Sequence, residues 1–122
     1  MYMKNVEMDA SIRSLASIKA AGYMLPAKVV CAIEQNICIL KKSCEEYCRQ
    51  KEEAICANCK NTEDGQAYLD FKDRNTLNAL NSVIENIGLL EHDVNIFKVP
   101  IEDFFNAEIP IADISKLMFM IE

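Results

Sequence analysis

Six cysteines come nearest to recognisable chemistry in this chain. Cys56-Ala-Asn-Cys59 has the spacing of a ligand pair, and Cys44 and Cys48 stand one helical turn apart. Four thiolates could hold a tetrahedral zinc ion. Distance opposes it, because Cys48 and Cys56 on a continuous helix are separated by about 12 Å along the axis. The two pairs then cannot close on one ion within one chain. A redox Cys-x-x-Cys opens a helix beside a sheet, whereas this one falls near an expected helix end. Reduced packing or surface cysteines are the favoured reading. Cys56 and Cys59 stay as the only metal candidates, and no metal or cofactor is expected.

Phosphate recognition is the second chemistry the residues suggest. Arg49 and Arg74 could grip a phosphate in bidentate fashion, and Arg13 is the only other arginine. Lys28, Asn36 and Arg49 are polar residues beside an apolar helical stripe, where a cleft between helices would form a ligand site. The candidate ligand set is therefore Lys28, Asn36, Arg49 and Arg74, weighed against plain surface salt bridges, the more common outcome. Asn75, Asn78 and Asn81 step by three along one helix and read as a solvated face. His92 is the single histidine, with no Ser or Cys in a nucleophile-like turn, and reads as a cation at a helix C-terminus. No Gly-rich phosphate loop, His-Glu metal motif or spaced carboxylate pair stands in a recognisable setting. A non-enzymatic protein is expected.

The elements that must carry these residues centre on residues 26–59. Ile33, Ile37, Leu40, Cys44, Tyr47 and Ala54 fall at alternating four- and three-residue steps, which places them on one stripe of a helix. The spacing predicts one long helix over about 26–59, roughly 45 Å long. Asp9 is the expected N-cap of a short first helix over about 9–21, with Gly22 just past its end. Thr62-Glu63-Asp64-Gly65 marks a turn over 61–66. Asp73 can cap a third helix over about 73–91, whose Leu77, Leu80, Ile84 and Ile87 repeat the three-four spacing. Two such stripes across a turn predict an antiparallel helical hairpin. Short strands are expected near both ends, within residues 1–7 and at about 93–99, with a last helix over about 111–119. The expected class is mainly α with a small β element in a single domain, 1–122. The third helix is about half as long as the second. The first helix can cover part of the stripe left over, and a homodimer or higher oligomer is expected to cover the rest.

Composition narrows the setting. The chain has 122 residues, 51% of them hydrophobic, with three Gly and three Pro, which excludes disorder by composition and favours long helices. A net charge of -6 disfavours a general nucleic-acid binder. No window of about 18 apolar residues exists, so no membrane span is expected. The start MYMKNVEMDA lacks the apolar core of a signal peptide, so a cytoplasmic location with reduced thiols is expected.

The order of parts resembles a family of small proteins encoded by bacteriophages and prophages of Gram-positive bacteria. The resemblance rests on MYMKNVEM, on LPAKVVCAIEQNICIL and on EEYCRQKEEA. It continues through the Glu-Asp-Gly turn, HDVNIFKVPIEDF and the ending IPIADISKLMFMIE. It spans nearly the full length, includes no catalytic signature, and this chain departs from it in its denser cysteines. It implies a phage setting and an intracellular, non-enzymatic role, with no site residues to transfer. The leading expectation is a counter-defence protein in the host bacterial cytoplasm, sequestering a nucleotide immune signal or blocking a host defence protein. The alternatives are a virion-assembly accessory and a zinc-stabilised module.

Overall fold

The fold is built on a helix whose apolar stripe is sealed by the rest of its own chain. The structure, a computed structural model, describes residues 1–122. It is mainly α with a small β element. In order it has β1 (Tyr2–Lys4), α1 (Asn5–Ala20), α2 (Ala27–Ser43), α3 (Glu45–Ala57), β2 (Lys60–Asn61), β3 (Ala67–Tyr68), α4 (Arg74–Gly88), β4 (Glu91–Asp93) and α5 (Ile111–Leu117). Turns of 3-10 helix occupy Ile101–Phe104 and Met118–Met120.

The long helix expected over 26–59 is two helices, parted at Cys44, whose φ of -106° and ψ of 14° leave the helical region. The charges explain the division. Lys41 and Lys42 close α2, and Glu45 and Glu46 open α3. Cations suit a helix C-terminus and acids a helix N-terminus, so this run reads as one helix ending and another starting. Ser43 and Cys44 between them are indifferent helix formers. The stripe keeps its phase across the break, and Ile33, Leu40, Cys44 and Tyr47 are all buried.

Two partners cover that stripe. Met8, Leu15 and Ile18 of α1 pack on α2, and Val99, Leu117 and Met120 of the C-terminal segment complete the same core. α3 packs on α4 instead. Gly88 lies against Val6 and Tyr47 at the root of this pair, and Lys60 meets Asp70 at 3.0 Å at its far end, so the two helices run antiparallel. The result is a body made of α1, α2 and the C-terminal segment, with an arm made of α3 and α4. The stripe is thus sealed through Tyr47 inside one chain. As expected, α1 takes up part of the stripe left by the shorter third helix, and the C-terminal segment takes up more of it.

Several local expectations need correction. The first helix begins at Asn5, four residues before the expected Asp9 cap, because Glu7 accepts the Lys4 backbone N–H at 2.9 Å as in a capping box. Asp9 pairs instead with Arg13. The third helix ends at Gly88. His92 therefore lies outside it, in β4, where it pairs with Met3 of β1. The strand expected over 93–99 is β4 at Glu91–Asp93 followed by irregular chain. The last helix stops at Leu117 and tightens into a 3-10 turn. Gly22 and Gly65 take positive φ of 74° and 82°, and Asp73 accepts the Thr76 N–H at 3.2 Å, as their types require.

Irregular chain cannot be buried unless its backbone groups find partners. Val94 and Val99 are nevertheless buried. Met1 O accepts the Val94 N–H and Met120 O the Val99 N–H, each at 2.8 Å, and between them Asn36, fully buried in the middle of α2, serves Phe97. Its Nδ2 donates to the Phe97 carbonyl at 2.9 Å, and its Oδ1 accepts the Phe97 N–H at 2.7 Å. The side-chain amide thus does for one residue what a neighbouring strand would do. Asn36→Ala is expected to cost about 1–2 kcal/mol by leaving the partly buried backbone groups of Phe97 unpaired. Denaturant unfolding measures the loss, and hydrogen exchange should show the Phe97 amide deprotected. An unchanged exchange rate at Phe97 would refute the clamp.

Candidate functional site

The best-formed concavity is an apolar cup in the C-terminal segment, enclosing about 210 Å³. All nine residues lining it are hydrophobic. Two proline-started turns build it. Pro100 precedes the 3-10 turn that presents Ile101 and Phe104, with Phe105 capping it, and Pro110 precedes α5, which presents Ile114 and Leu117 and runs on into the turn that begins at Met118. Proline suits both places, since its fixed φ is pre-set for the start of a turn. Between Val99 and Ile121 the chain closes on itself, with Val99 N–H donating to Met120 O at 2.8 Å and Glu122 N–H to Val99 O at 2.9 Å.

Each wall is tied to the body by one acid. Asp113 on α5 accepts a hydrogen bond from the Tyr23 hydroxyl in the loop between α1 and α2. Asp103 on the 3-10 turn faces Lys28 in the first turn of α2 at 3.4 Å. The Asp103 Oδ2 atom is buried and accepts no hydrogen bond, so this ammonium is an ion-pair partner only. The Tyr23 hydroxyl holds the Asp113 carboxyl below the usual carboxylate range, with Lys116 adding to the effect, and Asp113 in turn pushes the Tyr23 phenol up.

The lining is only partly covered. Ile114 is 38% exposed, Met118 57% and Phe105 71%. Glu102 and Glu122 adjoin lining residues in the chain, are exposed and form no ion pair, which gives the surroundings of the cup an acidic character, while Glu108 lines a separate concavity with Tyr23 and Met24. Lys98 is the one unpaired cation nearby in sequence.

The sequence-derived ligand set does not gather within one chain. Lys28 is engaged with Asp103. Asn36 is sealed and its amide is occupied by Phe97, so its role is structural. Arg49 lies about 30 Å of helical chain from Lys28. It is held between Glu46 and Glu53, with Nε 3.0 Å from Glu46, which raises the guanidinium's pKa and lowers that of Glu46. Arg74 opens α4, exposed and without an ion pair. Asn75, Asn78 and Asn81 are all exposed.

The cysteines do not form a centre either. All six are free thiols, and nowhere do three or more His, Cys, Asp or Glu side chains come together as a metal site would need. Cys59 at the end of α3 donates weakly to the Ile55 carbonyl at 3.1 Å. Burial, with the neighbouring Cys48 thiol adding, pushes Cys44 up to about 11.

No family model, curated protein or solved structure matches this chain. The cup residues went unread in the sequence because they come from two separate turns. The available signal was an excess of large apolar side chains, Phe104 and Phe105 followed by Ile109, Ile111 and Ile114, in a short segment with few helical positions to bury them.

Two outcomes check this geometry. The stabilisation from Asp113 is full above the ordinary carboxylate range and is lost as pH falls through its lowered value. Tyr23→Phe should move the Asp113 titration, followed by NMR, back up toward the ordinary value and remove that loss. Thiol labelling near neutral pH should modify the exposed Cys31, Cys38, Cys48 and Cys56 promptly, while Cys44 reacts only on unfolding.

Proposed function

We propose that this chain is a non-enzymatic binding protein that takes a protein partner in its C-terminal cup. The cup carries the reading. Its lining has no polar or titratable group with which to perform chemistry or hold a phosphate, and its acidic surroundings repel anions. It suits an apolar side chain flanked by basic residues. Its volume exceeds the roughly 150 Å³ of an apolar cavity known to admit benzene, so one aromatic or long aliphatic side chain fits.

The resemblance in the order of parts supports a phage setting, and with it a counter-defence role in the host cytoplasm by blocking a host defence protein. No helix is long and apolar enough to cross a membrane. Sequestration of a nucleotide signal draws less support, because Lys28, Asn36, Arg49 and Arg74 stand apart and three of them are already engaged within the chain. A virion-assembly role draws on the projecting arm, whose end presents Phe71 at 77% exposure.

The test is capture of partners from infected and uninfected cells with the wild-type protein and with Met118→Asp, alongside native mass spectrometry. A partner held by the wild type and weakened at least about tenfold by Met118→Asp supports the reading, this being the scale of a central interface contact. A stoichiometric nucleotide that stays bound through Met118→Asp overturns it.

A further inference from the structure

The molecule carries complementary features at opposite ends. α2 begins beside the cup, where Lys28 meets Asp103, and its other end leads through Cys44 into the arm. The cup and the arm's free end therefore lie at the two ends of the run from α2 through α3. At the free end the antiparallel ribbon of β2 and β3 turns at Gly65, and the chain then presents Phe71 just before α4. Phe71 is almost wholly exposed and no contact within the chain accounts for it.

The charges around Phe71 sort themselves. Lys60 is drawn to Asp70 at 3.0 Å and to Asp73 at 3.7 Å, and Asp73 also caps α4. Lys72 and Arg74, on either side of Asp73, form no ion pair. Glu63 and Asp64 are confined to the turn of the ribbon. Phe71 is thus a large apolar side chain with two uncommitted cations close behind it. The cup is an apolar concavity of aromatic size with two uncommitted carboxylates, Glu102 and Glu122, adjoining its lining in the chain.

We propose that the cup of one protomer receives Phe71 of a second copy, with Lys72 and Arg74 set against Glu102 and Glu122, so that chains associate head to tail. The inference deepens the reading of the cup as a protein-docking site and rests on it. An isologous pairing of two cups would bring these like charges together. A heterologous contact avoids that repulsion and leaves one free cup and one free arm end on every assembly, so it extends to longer rows unless a ring closes. One aromatic anchor is a small contact, so association is reversible and concentration-dependent. It would hold the cup shut at high local concentration, and a partner with a better anchor would displace it.

The experiment is sedimentation velocity across a concentration series, with circular dichroism confirming that each variant is folded. Wild-type mass should rise with concentration beyond a dimer. Phe71→Asp, at a site with no packing to lose, and Met118→Asp should each stay monomeric. An equimolar mixture of these two should form a 1:1 dimer that grows no further, because only one intact cup and one intact arm end are present. Charge reversal of Glu102 and Glu122 to Lys should weaken association at least about tenfold, and added reversal of Lys72 and Arg74 to Glu should restore it. A monomeric wild type, association that survives Phe71→Asp, or a mixture that stays monomeric overturns the proposal. If self-association fails while partner capture still depends on Met118, the docking reading stands alone. If the mixture dimerises while capture ignores Met118, the head-to-tail contact stands and the partner reading falls.

Discussion

The fold depends on one buried amide. Asn36 stands in the apolar stripe of α2, where a Leu or Ile would bury more surface and need no partner. It is tolerated because both ends of its amide are matched to the backbone of Phe97. A buried polar side chain with half its bonds made would be worse than an apolar one. With both made, it also fixes which residue of the irregular segment faces α2. Val94 and Val99, three residues before Phe97 and two after, are buried on either side of this clamp, with their own N–H groups donating to Met1 O and Met120 O. Val99 also bridges to Ile121, and on that closure stands the cup. Met120, whose Sδ lies 3.7 Å from the same Asn36 nitrogen, packs beneath it. Backbone pairing with the N-terminus stops at Val94 and pairing with the C-terminal segment starts at Val99, so Phe97 between them is anchored by the Asn36 amide.

The chain divides around this anchor into parts of unequal packing. α1 and α2 bury a continuous set of side chains against each other and against the C-terminal segment. The arm buries far less. α3 contributes Tyr47 and α4 contributes Leu80 and Gly88 as fully buried positions. Its root is nonetheless firmly set. Asn5 donates from its side chain to Ile87 O at 2.9 Å and from its backbone to Leu90 O at 3.0 Å, so the start of α1 is bonded to the end of α4. Gly88 permits this approach, since a Cβ there would stand 2.7 Å from Val6. The arm is thus fastened at its root and increasingly supported only by itself toward Phe71, the pattern of a segment drawn from the low-stability end of a structure.

What the sequence made legible was what local chemistry decides. Gly22, Gly65 and the Asp73 cap behave as their types demand, and the three-four spacing located the helices. The break at Cys44 escaped because the stripe keeps its phase across it, so periodicity alone cannot register a residue that leaves the helical region. The charge run from Lys41 to Glu46 held that information. The early start of α1 was likewise written in Glu7, three residues after Lys4. The segment over 94–99 was misread for a different reason. Its dense apolar pattern reports burial on more than one side, but its partners are the N-terminus at Val94, a side chain 61 residues earlier at Phe97 and the C-terminal segment at Val99, and no window on the sequence reveals such pairings. The candidate ligand residues share that limit. Lys28, Asn36 and Arg49 look uncommitted in sequence and are committed in space.

The unequal packing bears on how the two ends can act. The cup belongs to the well-packed body, with its walls pinned through Asp103 and Asp113 to the start of α2 and the loop before it. Little ordering of its own chain is then required when a ligand enters, and preorganisation of this kind raises affinity for a given contact area. The arm's free end has the opposite character, an exposed anchor on a thin support with few buried side chains behind it. A head-to-tail contact between the two would rest on a preorganised receptor and a lightly supported anchor. On the proposed reading, in which the cup also takes another partner, such a contact has to be exchangeable. A self-contact tight enough to be permanent would leave every internal cup filled, whereas one held by a single aromatic side chain keeps the apolar surface covered until a better-fitting segment arrives.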